Sequence, residues 1–191
     1  MALEKLLSRW PKNAPPTCIV QHIAGEFLDS FVEYLSEVTE CDIKVISDRV
    51  PLKEGTIYFA PAEKHMELLQ LEKGKGTLYT QPNDGDPYKT HKPSINVLLD
   101  SAKNILQKHS VAVGLLSGMG DDGANAAKEI KDLGGYCIGQ NKETSAIYGI
   151  SKRAKEMGAT HEEGDLKKLG ENLFKGKLRL KVLEKEMGKA S

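Results

Sequence analysis

A histidine and an aspartate each follow an apolar, strand-like run of the chain. His22 ends the run TCIVQH, and Asp122 lies in the glycine-rich turn after SVAVGLLSG. Open α/β sheets carry their chemistry at the carboxyl ends of the strands, so both side chains are candidates for a site there. A histidine oriented by a carboxylate is the base-and-orienter half of a nucleophilic triad, although the separation of the two residues in sequence says nothing about their distance in the fold.

The glycines around Asp122 could serve the same chemistry. Gly118, Gly120 and Gly123 allow the backbone to bend sharply and to expose amide N–H groups to an oxyanion. Taken singly, these features also have structural explanations, because a histidine at a strand end is commonly a hydrogen-bonded structural residue. Asp121 or Asp122 could equally cap the following helix. The GMGDDG turn lacks both GxGxxG spacing and a P-loop lysine, so it is only a weak match to a phosphate-binding loop.

Strand and helix patterns alternate over most of the chain and must position these residues. The predicted strands are TCIVQH, DIKVIS, GTIYFAP, SVAVGLLSG and YCIGQ, and the main predicted helices are ALEKLLSRW, EFLDSFVEYLSEV, SINVLLDSAKNILQKH and ANAAKEIKDLGG. Residues 65–81 predict a hairpin that turns at 74–76. The order indicates an α/β, doubly wound, mostly parallel sheet flanked by helices, with a small β-hairpin excursion. Such domains normally open with a central strand, whereas this chain opens with a helix, so the first strand is expected to be missing.

Composition argues against several other classes of protein. Lysine plus arginine (27) balance aspartate plus glutamate (27) over 191 residues, so nothing favours a nucleic-acid partner. No run approaches the ~20 apolar residues of a membrane-spanning helix. Cys18, Cys41 and Cys137 are widely spaced and form no CxxC motif, which predicts reduced, mostly buried thiols in a cytoplasmic protein. We predict neither a metal site nor a cofactor.

Five segments, in order and spacing, resemble the catalytic domain of the chemotaxis protein-glutamate methylesterase (CheB) family. They are VQHIAGEFLDSFVEYL, IYFAPAEKHMEL, HKPSINVLLDSA, GLLSGMGDDGANAAKEIKDLGG and QNKETSAIYGISKRAKEMGA, which run from about residue 20 to residue 159. The resemblance implies that His22 is the catalytic base and Asp122 its orienting acid. It also implies that Met119 and Gly120 belong to the oxyanion and substrate-binding turn.

The resemblance further implies a reaction, a partner and a domain organisation. The family hydrolyses glutamate methyl esters on chemoreceptors and often deamidates certain glutamines, through an acyl-enzyme in both reactions. The expected partners are the cytoplasmic helices of methylated chemoreceptors, with no nucleic acid, and with membrane arrays contacted only through the receptors. We expect a methylesterase-like domain over residues 1–163 and a charged helical C-terminal tail over residues 164–191.

One motif of the family has no counterpart in these residues. The nucleophilic serine of the family stands in GxSTGG, which occurs nowhere in the 191 residues. The opening MALEKLLSRWP resembles the segment after that motif, so the serine is expected to lie upstream. Ser94, Ser117 and Ser145 match family positions with other roles. The alternatives are a catalytically dead, receptor-binding pseudoenzyme of the same fold and a small-ligand or phosphate-binding domain using GMGDDG.

Overall fold

The computed structural model describes residues 1–71 and 77–175, which fall into two compact units. The first unit spans Leu3–Ile105, and the second begins at Leu106. The hairpin turn predicted at 74–76 and the end of the predicted tail, 176–191, lie outside the described residues. No helix among the described residues is long and apolar enough to cross a membrane.

The first unit contains a parallel sheet and an antiparallel one. Its elements in chain order are α1 (Ala2–Leu7), β1 (Thr17–Ile19), α2 (Gly25–Val38), β2 (Asp42–Val45), β3 (Val50–Pro51), β4 (Thr56–Phe59), β5 (His65–Gln70), β6 (Leu78–Asn83) and α3 (Ile95–Lys103). The strand β4 lies between β1 and β2, and both pairings are parallel. All four residues of β4 are buried, as expected for a central strand covered on both faces.

The predicted hairpin excursion is the antiparallel sheet of this unit. β6 pairs with β5 on one side and with β3 on the other. Met66 of β5 and Leu98 of α3 pack with Tyr58 of β4 in one buried cluster, so the hairpin shares a core with the parallel sheet. The predicted helix over SINVLLDSAKNILQKH ends earlier than expected, at Lys103, because the next residues form tighter i→i−3 bonds such as Ile105 N–H to the Ala102 carbonyl (3.2 Å).

The second unit is a parallel βαβαβ arrangement. Its elements are β7 (Ala112–Leu115), α4 (Ala124–Asp132), β8 (Tyr136–Gln140), α5 (Ile150–Glu156) and β9 (Glu162–Gly164). β8 is the buried central strand and pairs in parallel with β7 and with β9. The βαβ prediction for SVAVGLLSG and YCIGQ is confirmed, as is the prediction of a mostly parallel α/β fold with a hairpin excursion.

Residues 166–175 are helical and pack on this second unit. Leu169 is fully buried, and a Cβ on Gly114 of β7 would lie 2.8 Å from the Leu173 side chain. The first part of the predicted tail therefore contributes apolar contacts to the parallel sheet. The division into a domain over 1–163 and a tail stays a prediction.

Candidate functional site

β1 carries His22 to the carboxyl edge of the parallel sheet of the first unit. The strand ends at Ile19, whose carbonyl accepts a hydrogen bond from the Ala60 N–H at 2.9 Å. His22 then lies in the short connection before α2, where its side chain is exposed. The exposed imidazole of His22 therefore lies just beyond the carboxyl end of β1, at the edge of the sheet where α/β folds commonly have their active sites.

A second histidine contacts the His22 ring. The rings of His22 and His91 stack with their centroids 4.6 Å apart and their planes 15° from parallel. His91 comes from the segment between β6 and α3, where Tyr88 and His91 exchange backbone hydrogen bonds of 3.1 and 3.0 Å and close a tight turn. From the sequence alone, no role is assigned to His91. Its place in HKPSINVLLDSA, one of the five matching segments, was the signal that could have identified it.

The glycine-rich turn of the second unit follows the carboxyl end of β7 and is bonded to the loop before α5. The Gly118 N–H donates to the Ile147 carbonyl at 3.0 Å, and the Gly118 carbonyl accepts from the N–H groups of Gly149 and Ile150 at 3.1 and 2.9 Å. A Cβ on Gly149 would lie only 2.5 Å from the Gly118 carbonyl oxygen. Glycine at position 149 therefore permits this close backbone contact.

Two side chains strengthen that connection. The Ser117 hydroxyl accepts from the Ile147 N–H at 2.9 Å and donates to the Ile147 carbonyl at 3.2 Å. The fully buried Gln140 accepts the Ser117 N–H at 2.8 Å, and its amide nitrogen donates to the Thr144 carbonyl at 2.8 Å. The Ser117 hydroxyl therefore joins two loops and is not arranged as a nucleophile. Sequence reasoning missed Gln140, although it opens the matching segment QNKETSAIYGI.

Met119 and Gly120 form the exposed tip of this turn. The Met119 side chain is 79% exposed, and Gly120 has a positive φ of 91°, a conformation that favours glycine. Within residues 1–71 and 77–175, no backbone hydrogen bond is donated by the N–H of either residue. Two adjacent N–H groups with that freedom can stabilise a negatively charged oxygen.

Asp122 has a different environment from the exposed tip, because its side chain is only 2% accessible. The N-cap of α4 is Gly123, with a φ of 93°, so the interpretation of Asp121 or Asp122 as the N-cap is wrong. Every buried side-chain nitrogen or oxygen among the described residues has a hydrogen-bond partner, which includes the Asp122 carboxylate. His22 and Asp122 belong to different units, and their pairing stays a prediction.

The cysteines do not offer a replacement nucleophile. Burial raises the pKa of the Cys18 and Cys137 thiols to about 12 and also raises the pKa of Cys41. All three are unpaired, as expected for reduced thiols. Because the thiolate is the reactive form, these groups are poor nucleophiles at neutral pH.

Comparison with known proteins identifies the family. The model of the family described as CheB methylesterase matches residues 1–173. This chain belongs to the CheB methylesterase family. Its fold is similar to the crystal structure of the Thermotoga maritima CheB methylesterase catalytic domain, with a TM-score of 0.84 and 30% identity over 91% of this chain and 90% of that one. The resemblance seen in the sequence is therefore confirmed.

Curated CheB relatives carry one common name, protein-glutamate methylesterase/protein-glutamine glutaminase. The protein of that name from Agrobacterium fabrum is 34% identical over 175 residues, which are 91% of this chain and 48% of the relative. The one from Hydrogenovibrio crunogenus is 34% identical over 158 residues, 83% of this chain and 41% of the relative. The chain thus spans about half the length of the curated relatives that it matches.

Proposed function

We propose that this chain is the catalytic region of a protein-glutamate methylesterase that acts on the cytoplasmic helices of chemoreceptors during bacterial chemotaxis adaptation. Deamidation of receptor glutamines is its second reaction. The observation that carries the proposal is the CheB match over residues 1–173, a range that includes the two proposed catalytic residues, His22 and Asp122. The names of the curated relatives support both reactions.

Each site residue has a defined role in the proposed mechanism. His22 takes the proton of the attacking hydroxyl and returns it to the leaving methanol, or to ammonia in deamidation. Asp122 orients the imidazole and stabilises its protonated form. The N–H groups of Met119 and Gly120 stabilise the oxyanion of the tetrahedral intermediate, where a pre-positioned donor is typically worth about 10²–10³ in kcat.

The proposed mechanism also needs a serine that the described side chains do not offer. Both hydrogen-bonding directions of the Ser117 hydroxyl are taken up by the Ile147 backbone, and the Ser94 oxygen accepts the Val97 N–H at 3.4 Å as the N-cap of α3. Ser145 donates to the Asn141 carbonyl at 2.8 Å. In this proposal the serine stands in a GxSTGG motif on a strand upstream of residue 1.

Methanol release from methylated chemoreceptor membranes tests the proposal. The 191-residue chain is compared with the same chain extended by an apolar strand and GxSTGG taken from a relative, and with the extended chain carrying alanine for the motif serine. We expect turnover from the extended chain alone. Equal turnover by all three proteins would show that another group is the nucleophile, and no turnover by any would contradict the proposed activity.

The absence of GxSTGG from the 191 residues favours a second candidate, a receptor-binding pseudoenzyme of the same fold. Such a protein would sediment with methylated receptor membranes and stay inactive after extension. Co-sedimentation measured beside methanol release therefore separates the two candidates, since the esterase proposal requires both binding and turnover from the extended chain.

A further inference from the structure

His65 is a buried histidine that lies outside the proposed chemistry. The side chain at the start of β5 is 1% accessible, and its Nδ1 is 3.1 Å from the backbone nitrogen of Ser94. Because a backbone N–H can only donate, Nδ1 is the acceptor. The proton of the neutral ring is therefore on Nε2, which donates to the Asp86 carbonyl at 3.0 Å. One ring thus binds both ends of segment 86–94.

Segment 86–94 has further internal connections that fix its path. The paired backbone bonds of Tyr88 and His91 close a turn in which Lys89 has a φ of 56°. The Ser94 side chain caps α3, so the end of the segment is also fixed to a helix of the same unit. His91 therefore projects from a short loop whose two ends are hydrogen-bonded to His65 and whose middle forms a turn with its own backbone hydrogen bonds.

We propose that His91 is a positioning residue for His22, and that His65 supports it by holding segment 86–94. His22 is exposed and lies in the connection between β1 and α2, where its ring stacks on His91. Stacking on a ring presented by a fixed loop restricts rotation of the imidazole plane. A general base needs that restriction because proton transfer requires hydrogen-bond distance and alignment. The catalytic consequence rests on the proposed function of His22.

The contact itself can be tested in the 191-residue chain by NMR of the histidine rings. Ring currents from His91 should displace the His22 ring-proton signals, which are assigned by their loss in His22→Gln. In His91→Ala these signals should move to the positions of an unstacked imidazole, whereas His91→Phe should keep them displaced. His109→Ala is the matched control and should leave them unchanged.

His65 is tested by replacement with phenylalanine, which keeps a ring of similar size and removes both hydrogen bonds. The His91 and His22 ring signals should then move together, while the amide signals of β2 and β4 stay in place. The two His91 variants keep the inference testable if the His65 variant does not fold. His22 signals that are the same in wild type and His91→Ala would overturn the inference.

Kinetics of the extended chain test the catalytic consequence. His91→Ala should lower kcat by about 10- to 100-fold, the size of effect produced by misplacing a reacting group, and should change KM less than twofold. His91→Phe should restore most of kcat, because a stacking partner needs a ring and not a proton. An unchanged kcat in His91→Ala would overturn the catalytic consequence. If the extended chain without substitutions were inactive, the proposed function would be contradicted. The NMR signals of the His22 ring in the 191-residue chain would then still show whether His91 positions that ring.

Discussion

His22 and the GMGDDG turn are held in place by different forces. His22 follows its strand with an exposed side chain that stacks on His91, whereas the turn is joined to its neighbouring loop by backbone hydrogen bonds at Gly118 and by the buried Gln140. The proposed base exchanges a proton and needs a correctly aimed ring, to which the stack on His91 can contribute. Oxyanion donors act without moving and therefore need a fixed backbone. The comparison predicts that substitutions near His22 affect catalysis more than stability, and that substitutions around the turn affect both.

The largest expected effect comes from removing the proposed base or its proposed orienter. In the extended chain, His22→Ala and Asp122→Asn should each lower kcat by at least about 10³-fold. Combining them should cost little more than the worse single change, because members of a triad act as a unit. Methanol release under single-turnover conditions measures all three proteins. Losses that multiply in the double variant would show that the two residues work independently.

The same two variants should differ in stability. His22 is exposed, so His22→Ala should change the free energy of unfolding by less than about 0.5 kcal/mol. Asp122 is buried, and replacing a hydrogen-bonded carboxylate oxygen by an amide puts a donor where an acceptor was needed, which should cost about 1–3 kcal/mol. Urea unfolding of both variants provides the measurement. Equal stability losses would remove the distinction between the two regions.

Gln140 tests how the turn is held. Gln140→Leu leaves the Ser117 N–H without its partner inside the second unit and should lower the free energy of unfolding by about 1–3 kcal/mol. Thr144→Ala is the matched control, because it keeps the Gln140 bonds to the Ser117 N–H and to the Thr144 carbonyl and, of the Gln140 contacts, removes only the 3.3 Å one with the Thr144 hydroxyl, so we expect a smaller loss. Urea unfolding compares the two variants. The opposite order would mean that the Thr144 side of the network dominates.

Gly149 tests the close approach of the two loops. Gly149→Ala places a Cβ 2.5 Å from the Gly118 carbonyl oxygen, and the resulting backbone shift should cost about 1–3 kcal/mol and displace the amide signals of Gly118 and Met119. Gly158→Ala is the matched control, because that site has open space and only an unfavourable φ of 69°. Gly158→Ala should leave the turn signals in place. If the Gly118 and Met119 amide signals of Gly149→Ala were the same as in wild type, the close contact between the two loops would not be needed to hold the turn.

Backbone architecture was more predictable than side-chain contacts. The apolar runs of β7 and β8 on either side of a helical pattern were enough to predict their parallel pairing, because a crossover connection strongly constrains strand direction. The stack of His22 on His91 depends on the conformation of an irregular loop, about which periodicity carries no information. Gln140 was overlooked because a glutamine at a strand end is usually solvated. The alternative that Asp121 or Asp122 is the helix N-cap could not be decided from residue type, because Gly123 at positive φ takes the place that an aspartate commonly occupies.

The smallest expected effect is a pH dependence of the second unit, away from the proposed chemistry. The His161 ring stacks on Tyr136 with centroids 5.3 Å apart, and its Nδ1 lies 3.2 Å from the Cys137 nitrogen and 3.3 Å from the Cys137 carbonyl oxygen. In the neutral ring Nδ1 can accept the Cys137 N–H, whereas the protonated ring donates to the Cys137 carbonyl. Burial lowers the pKa of His161 below its ordinary value of 6.5, and Lys131 acts in the same direction, against an opposing hydrogen bond to the Cys137 backbone.

Because the unfolded chain binds this proton more readily than the folded one, the His161 contribution to stability is fully present above pH 6.5. It is lost as the pH falls from 6.5 towards the lowered pKa. The change should stay below about 1 kcal/mol, since the ring is partly solvated. Urea unfolding at several pH values should show a shallower acid loss in His161→Asn, whose side-chain oxygen can still accept the Cys137 N–H. An NMR titration midpoint for His161 at or above 6.5 would contradict this prediction and would place the acid sensitivity of the unit elsewhere.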